Sequence, residues 1–468
     1  MNRETKRIIL VLSAFSILFV SLVAYLSYFQ VFKAEKVKNN PYNKRLWINE
    51  ENVLRGSILD RNDNLLAYSE RDNNTSRRYY KYGNLYSHII GYSYREYGKA
   101  GLELEYNNVL LDIRENTAIN ELRNLVLPRS EGNDIRLTID HGSQEKAREL
   151  LKGNKGSIVL MNPKTGEVYA MVSLPDFNTS ELNENWKEII EDPDSPFLNR
   201  ATQGLYPPGS IFKIVSAIAA LESPDLDLDY TCVGSTKVDG YILKDYNEKA
   251  HGRLDLHEAI VRSCNTYFAE KSLLIGKEKL GNIADRLMIN QEIDFDLPVK
   301  TSQFPYRTNI GATEIAESSI GQGKIVTTPL NMAMMVSAIA NDGEMVKPIL
   351  VKEIINKDGR IIKSISTDII STVTSPSVAR EIKAMLVDTV KRGTGSNAKI
   401  SNVTVAGKTG TAENPSGNDH SWFVGFAPAE DPRLAVAVIL EEAGMTGGKG
   451  AAPLARDLIL YGLNNIDF

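Results

Sequence analysis

Cysteine, histidine and an excess of basic charge are what this sequence lacks. Its 468 residues include only 2 Cys and 5 His, which excludes a disulfide framework and a zinc module built on several cysteines. The histidines show no metal-ligand spacing such as H-E-x-x-H. The formal net charge is -5 and there is no long basic run, so we expect no nucleic-acid partner.

The remaining composition is that of an ordinary folded protein. The chain is 42% hydrophobic, 24% charged and 8% aromatic, a balance that supports buried cores and argues against disorder or a fibrous repeat. At about 150 residues per domain, the length suggests roughly three structural units.

One long apolar segment lies near the N-terminus. Residues 8–32 carry no charge, and roughly 25 residues are enough for one helix to cross a bilayer. A cleaved signal peptide is the alternative, but the segment is longer than a usual signal core and no A-x-A site closes it. Basic residues flank both ends, so the orientation rests on the short tail 1–7 and the large polar region that follows. We expect a retained single-pass anchor in the cell membrane, with the N-terminus cytoplasmic and the bulk of the chain extracytoplasmic.

The polar remainder divides into two regions. In region 33–150, RGSILDRNDNLLAYS (55–69) predicts two short strands around a turn, and GKAGLELEYNNVLL (98–111) predicts a helix. Region 151–468 begins with a predicted hairpin, continues with helical patterns over 210–340 and ends with strands and a last helix. A sheet built from both ends of this region, with helices between them, predicts an α/β or α+β class.

The strongest chemical signal is YPPGSIFK (206–213). Pro-Pro-Gly predicts a turn, after which Ser210 opens an apolar helix. Ser210 and Lys213 lie three residues apart, so on a helix the amine can reach the hydroxyl. An apolar setting lowers the pKa of a lysine, which can then activate a serine nucleophile as a general base. The second S-x-x-K, at 143–146, lies in a charged, exposed-looking helix without a Pro-Gly turn, and we assign it a structural role.

A second polar pair, Ser263 and Asn265, lies in a predicted loop between helices. From such a loop a hydroxyl and an amide can converge on a pocket. The S-x-N pattern is common and is often only a surface cap. Ser416 and Asn418 repeat it in a Gly-rich turn.

A third pattern follows the alternating strand VTVAGKTGTAE (403–413). The strand leads into Lys408, Thr409, Gly410 and Thr411. A cation, two hydroxyls and a glycine that admits close backbone approach suit the binding of a peptide that carries a carboxylate. A second K-T-G, at 164–166, lies at a hairpin tip and is explained by a turn.

The order of these three motifs resembles that of the class B penicillin-binding proteins, the membrane-anchored D,D-transpeptidases of bacterial cell walls. The resemblance covers nearly the whole chain. It implies a transmembrane helix (8–32), a membrane-proximal pedestal or dimerisation-type domain (33–150) and a transpeptidase domain (151–468) with helices around an antiparallel sheet. Further segments similar to the family are RGSILDRN (55–62), GKAGLELEYN (98–107), LTIDHGSQ (137–144), SIGQGKIVTTPLNMA (319–333) and GGKGAAP (447–453).

The resemblance also implies a reaction. Ser210 would attack the penultimate D-Ala carbonyl of a donor stem peptide, and the amine of a second stem peptide would resolve the acyl-enzyme into a cross-link. Lys213 would be the acylation base, Ser263 and Lys408 would relay a proton to the leaving group, and Asn265 would hold the substrate amide.

Substrate binding is implied for the third motif. Thr409 and Thr411 would hold the terminal carboxylate on either side of Gly410, and the backbone N–H groups of Ser210 and Thr411 would form an oxyanion hole. No metal or organic cofactor is needed. The implied partners are peptidoglycan stem peptides, β-lactam antibiotics, the membrane, and a polytopic glycan-polymerising glycosyltransferase with other wall-synthesis proteins.

Two alternatives use the same motifs. A serine β-lactamase would hydrolyse the drug, but it has no use for an anchor or for the two segments before residue 110. A β-lactam sensor or catalytically idle scaffold is disfavoured by the complete motif set. Cys232 and Cys264 could pair outside the cytoplasm, but we expect Cys264 to be a packed free thiol because it lies between two site residues.

Overall fold

The computed structural model describes residues 2–33, 53–72, 75–113 and 131–468. Parts of the predicted region 33–150, at 34–52, 73–74 and 114–130, lie outside the described residues.

The N-terminal apolar segment forms a single helix, α1 (Arg3–Phe32), with no buried residue. Within the described ranges it is the one helix long and apolar enough to cross a membrane. Its length and composition match the predicted anchor.

Short elements make up the membrane-proximal part of the chain. The predicted helix at 98–111 is instead two short helices that meet at Tyr106, whose backbone leaves the helical region. The described elements here are β1 (Ile58–Leu59), β2 (Leu65–Asp72), β3 (Thr75–Tyr80), α2 (Ser87–Ile90), β4 (Ser93–Tyr94), β5 (Gly98–Lys99), α3 (Leu102–Glu105), α4 (Asn107–Leu110), β6 (Asp134–Leu137) and α5 (His141–Leu151).

Region 151–468 contains most of the regular structure. Its strands are β7 (Gly156–Met161), β8 (Val168–Leu174), β9 (Tyr230–Cys232), β10 (Ser235–Val238), β11 (Tyr241–Lys244), β12 (Gly252–Leu254), β13 (Glu344–Val346), β14 (Val351–Ile355), β15 (Ile361–Ser364), β16 (Ile369–Thr372), β17 (Ala406–Ala412), β18 (His420–Ala427) and β19 (Leu434–Leu440). Its α-helices are α6 (Leu182–Glu191), α7 (Arg200–Gln203), α8 (Lys213–Leu221), α9 (Leu256–Arg262), α10 (Asn265–Ile275), α11 (Lys277–Arg286), α12 (Ala312–Ser319), α13 (Pro329–Ala340), α14 (Pro376–Arg392) and α15 (Ala451–Asn465). Short 3₁₀ helices occur at Thr179–Glu181, Gly209–Phe212, Tyr246–Glu248 and Ser396–Ala398.

A five-stranded antiparallel sheet in the order β17-β18-β19-β7-β8 forms the centre of this region. Every residue of β7, β8, β18 and β19 is buried, because helices cover both faces. Helix α13, buried along its whole length, packs on one face, and α5 and α15 pack on the other. The sheet is built from both ends of the region, which confirms the predicted fold class.

A second sheet, in the order β15-β14-β6-β1-β2-β3, joins distant parts of the chain. Strand β1 pairs in parallel with β6, and β6 pairs antiparallel with β14, which lies more than 200 residues later. The sheet therefore contains strands from both sides of residue 150. The domain boundary at that residue stays a prediction.

Candidate active site

The three sequence motifs meet at one cleft of about 760 Å³. The cleft lies where three parts of the chain come together: the turn at 207–210, called the nucleophile turn after the predicted role of Ser210, the loop between α9 and α10, and strand β17. Predicted site residues that line it are Ser210, Ser263, Asn265, Thr409 and Thr411. The structure thus brings the motifs together, while the catalytic role of each residue stays a prediction.

Ser210 lies in the 3₁₀ helix Gly209–Phe212, directly before α8. Gly209 has a positive φ of 55°, and a Cβ at this position would lie 2.5 Å from the carbonyl oxygen of Thr411. Its N–H donates to the carbonyl of Gly321 at 2.9 Å. A glycine is therefore required for the turn to approach β17 and place Ser210 beside Thr411.

Lys213 is fully buried, and its amine points at the second motif. Its Nζ donates to Asn265 Oδ1 at 2.6 Å, to the Ser263 carbonyl at 2.8 Å and to Ser263 Oγ at 3.2 Å. Burial lowers the pKa of Lys213 to about 8, because desolvation disfavours the charged amine. The structure shows Lys213 buried at the start of the apolar helix α8, the setting that the sequence predicted.

Ser263 ends α9 in the left-handed conformation, with φ 58°. This conformation is uncommon for a residue with a side chain, and it turns the chain between α9 and α10. Lys408 Nζ donates to Ser263 Oγ at 2.9 Å, so this hydroxyl lies between two amines. Asn265 opens α10, and its Nδ2 donates to the Lys244 carbonyl at 2.9 Å.

Strand β17 supplies the third motif. Burial, and then the charge of Lys213, lower the pKa of Lys408 well below its usual range. Thr409 Oγ1 lies 2.7 Å from Thr394 Oγ1. A Cβ at Gly410 would lie 2.8 Å from the Pro208 carbonyl, so this glycine lets the strand pack against the nucleophile turn.

The repeated motifs have structural roles. The helix pattern suggested that Ser143 is exposed, but the structure shows that it is buried. Its N–H and its hydroxyl both donate to Asp140 Oδ1 at the start of α5. Asn162 Oδ1 accepts from the N–H of Lys164, which fixes the hairpin tip. Ser416 Oγ accepts from the Asn418 N–H within an exposed turn.

Sequence reasoning missed Asp245 and Thr394. Asp245 is buried behind the second motif, where its carboxylate accepts from the Asn265 N–H and, at 2.7 Å, from Thr266 Oγ1. Thr394 lines the cleft beside Thr409. Neither residue belongs to a local sequence pattern. Each lies at the site only because the fold brings together segments that are distant in sequence.

Four side chains behind the second motif could hold a metal ion. Cys232, Asp245, His251 and Cys264 have ligand atoms that all lie within 4.8 Å of one another. Both cysteines are buried free thiols, as expected for Cys264. Sequence spacing did not reveal this group, because its members come from separate segments.

Comparisons with known proteins give one consistent family. Residues 156–460 match the penicillin binding protein transpeptidase domain, and residues 55–135 match the penicillin binding protein A dimerisation domain. The peptidoglycan D,D-transpeptidase PbpA of Mycolicibacterium smegmatis is 31% identical, with 99% of each chain covered. The peptidoglycan D,D-transpeptidase MrdA of Acinetobacter baumannii is 30% identical over 82% of this chain and 66% of that protein.

Similarity to solved structures supports the same family. A D,D-transpeptidase domain from Eggerthella lenta has a TM-score of 0.81 and 33% identity, covering 88% of this chain and 99% of that one. Penicillin-binding protein A of Mycobacterium tuberculosis, solved as its penicillin G acyl-enzyme complex, has a TM-score of 0.80 and 28% identity, covering 88% of this chain and 100% of that one. The structural similarity therefore spans both regions that follow the N-terminal helix.

Proposed function

The chain belongs to the class B penicillin-binding proteins, and from this premise we propose that Ser210 is the nucleophile with which it cross-links peptidoglycan. The protein is a serine-type D,D-transpeptidase that acts on peptidoglycan stem peptides and is a target of β-lactams. One observation carries the assignment of the site. Ser263 Oγ lies between the amines of Lys213 and Lys408, in the cleft that Ser210 lines.

The acylation step follows from the state of Lys213. Its neutral amine takes the proton of Ser210 Oγ as that oxygen attacks the penultimate D-Ala carbonyl of the donor peptide. Burial lowers the pKa of Lys213 to about 8, so a minority of the amine is already neutral near physiological pH. The amine's bonds to Ser263 and Asn265 hold it on the cleft side of α8.

The leaving group then needs a proton. Ser263 Oγ, in contact with both lysine amines, can pass the proton taken from Ser210 to the nitrogen of the departing D-Ala. The C–N bond breaks, free D-Ala leaves, and Ser210 keeps the acyl group as an ester. The acceptor amine of a second stem peptide reverses these proton transfers and forms the new amide.

Strand β17 and the nucleophile turn bind the substrate. The close approach of Gly209 to Thr411 supports an oxyanion hole in which the backbone N–H groups of Ser210 and Thr411 bind the acyl carbonyl. A single such donor contributes about 3 kcal/mol to transition-state stabilisation. The hydroxyls of Thr409 and Thr411 line the cleft where the terminal carboxylate binds.

Labelling with fluorescent penicillin tests the site. We expect wild-type protein to form a stable adduct at Ser210, Ser210→Ala to form none, and Lys213→Ala to react slower by about three orders of magnitude or more. Lys146→Ala, at the repeated S-x-x-K, is the matched control and should label like wild type. Labelling that survives Ser210→Ala would refute the assignment. Rapid turnover of penicillin would indicate a β-lactamase, and stable acylation without stem-peptide cross-linking would indicate a sensor or scaffold.

We also propose the orientation and a partner. The N-terminus is cytoplasmic. The membrane helix and the 55–107 segment dock a polytopic glycan-polymerising glycosyltransferase, because no described residue of either part lines the cleft. Protease added to wall-stripped cells should digest the region after α1 and spare an N-terminal tag. Replacing 55–107 alone should abolish co-purification with the glycosyltransferase. Full activity in cells from residues 53–468 on an unrelated anchor would contradict the docking role of the membrane helix.

A further inference from the structure

Three threonines, Thr394, Thr409 and Thr411, line the cleft, and each hydroxyl has one proton to donate. The proton of Thr409 Oγ1 is already used, because it is donated to Thr394 Oγ1 at 2.7 Å. Thr411 Oγ1 accepts from the Gly447 N–H at 3.3 Å, and its own proton stays available. A carboxylate only accepts hydrogen bonds. Of the three hydroxyls, those of Thr394 and Thr411 therefore have a proton for it, and that of Thr409 does not.

The exposure of the two paired threonines agrees with this count of protons. Thr409 is only 6% exposed, whereas Thr394 is exposed to the cleft. To donate to a substrate, Thr409 would have to break its bond to Thr394, and the net gain would be small because one hydrogen bond replaces another. The bond also makes Thr394 a stronger donor, because hydrogen bonds in a chain polarise one another.

Thr394 lies in the loop that follows α14, and close backbone contacts hold this loop at the site. The Thr394 N–H donates at 3.4 Å to the carbonyl of Val261, near the end of α9. A Cβ on Gly448, which also lines the cleft, would lie 2.6 Å from the Thr394 carbonyl oxygen. The exposed hydroxyl is therefore presented from a backbone that is fixed on two sides.

We propose that Thr394 is a further substrate-binding residue, which donates its hydroxyl proton to the terminal carboxylate of the donor stem peptide. Thr411 donates beside it, and the buried Thr409 orients Thr394 by donating to its oxygen. The carboxylate of penicillin is bound in the same way. This inference rests on the proposed function, because it places the donor peptide in the cleft that Ser210 lines.

A pair of ligands that differ only in the carboxylate tests this role. Benzylpenicillin carries the negative charge, and its methyl ester does not. Acylation rates of full-length protein in detergent are measured for both by mass spectrometry of the intact protein. Thr394→Val keeps the shape of the side chain and removes the hydroxyl. It should slow acylation by benzylpenicillin about tenfold or more, because a hydrogen bond to a charged group is lost, and leave the rate with the ester at the wild-type value.

Three further variants complete the experiment. Thr394→Ser keeps a hydroxyl and should restore most of the rate with benzylpenicillin. Thr389→Val is the matched control on α14, because the Thr389 hydroxyl donates to the Met385 carbonyl at 2.9 Å and does not line the cleft. It should react like wild type with both ligands. Thr409→Val should slow benzylpenicillin no more than Thr394→Val does, because it removes only the group that orients the donor.

The outcomes separate this inference from the proposed function. Thr394→Val that slows both ligands equally would show a structural role, and Thr394→Val that slows neither would show no role. A much larger loss in Thr409→Val than in Thr394→Val would show that Thr409 itself binds the carboxylate. Each of these results, obtained with wild-type protein that is acylated at Ser210, would overturn the inference alone. Wild-type protein that benzylpenicillin never acylates would overturn the proposed function and this inference with it.

Discussion

At the scale of single residues, the site depends on two buried lysines and one hydroxyl. Lys213 and Lys408 are both fully buried, and both amines contact Ser263 Oγ. Two amines this close cannot readily both be charged, since burial and like charge each disfavour the ammonium form. The arrangement therefore favours a neutral amine, which the proposed role of Lys213 as base to Ser210 requires.

The pH dependence of acylation follows from this pair. The pKa of Lys213 is lowered to about 8 by burial, so the neutral amine is the minor form below that pH. The rate of penicillin acylation should rise about tenfold per pH unit below about 8 and level off above it. Stopped-flow measurement of wild-type protein between pH 6 and 10 checks this.

Lys146→Ala is the control for that profile. Lys146 belongs to the repeated S-x-x-K, pairs with Glu149 and lies outside the cleft, so its removal should leave the profile unchanged. A rate that is flat from pH 6 to 9 in the wild-type protein would contradict the role of Lys213 as base.

At this scale the sequence was informative where a motif is local. Ser210 and Lys213 follow from a Pro-Pro-Gly turn and a three-residue spacing. The structure places Ser210 in the cleft and the buried Lys213 amine against Ser263 and Asn265, which line it. Asp245 and Thr394 could not be predicted, because their neighbours in space are Asn265 and Thr409, which are distant in sequence.

At the scale of elements, the nucleophile turn is held by close backbone contacts. Gly209 approaches Thr411, and a Cβ on Gly321 would lie 2.0 Å from the Gly209 carbonyl oxygen. Both glycines have positive φ. The loop after α12 and strand β17 thus contact the turn from two sides. These contacts fix the position of Ser210 in the cleft.

Gly209→Ala should therefore damage the site beyond its effect on stability. An alanine at φ 55° carries strain of about 1–2 kcal/mol. Its Cβ would push the turn away from Thr411, where we propose the oxyanion hole. We expect penicillin acylation to fall by about 100-fold or more. Labelling kinetics and thermal unfolding, measured together, separate the two effects.

Gly153→Ala is the matched control. Gly153 has φ 84°, but nothing lies within 4 Å of a Cβ there. It should show a similar loss of stability with wild-type acylation. Equal acylation rates for both variants would show that backbone contact at Gly209 does not shape the site.

At the scale of the whole molecule, the two regions share structure rather than lying side by side. Strands β14 and β15, from the transpeptidase region, complete the sheet that begins with β1, β2 and β3. The order of the predicted elements in region 151–468, with strands at both ends and helices between them, was enough to predict the fold class. The pairing of β6 with β14 was not predictable, because both strands are short and no local pattern specifies a partner so far along the chain.

The two membrane-proximal segments that resembled the family are joined by a buried ion triad. Glu103 Oε2 lies 2.5 Å from Arg55 Nε, Glu103 Oε1 lies 2.7 Å from Arg78 Nε, and the Glu103 side chain is 0% exposed. Burial opposes ionisation, but the charges of Arg55 and Arg78 hold the pKa of Glu103 below its ordinary value. The triad therefore connects the start of the membrane-proximal fold to helix α3 as a charged unit.

Glu103→Gln should then destabilise the protein while sparing its chemistry. Losing the carboxylate leaves two buried guanidinium groups uncompensated, which should lower the free energy of unfolding by about 3–5 kcal/mol. Glu105→Gln, at an exposed position on the same helix, should change it by less than about 0.5 kcal/mol. Trp186, stacked on Tyr97 with ring centroids 4.0 Å apart, reports unfolding by fluorescence.

Folded Glu103→Gln protein should acylate at the wild-type rate, because none of Arg55, Arg78 and Glu103 lines the cleft. A variant with full stability but slow acylation would show that this region takes part in the chemistry.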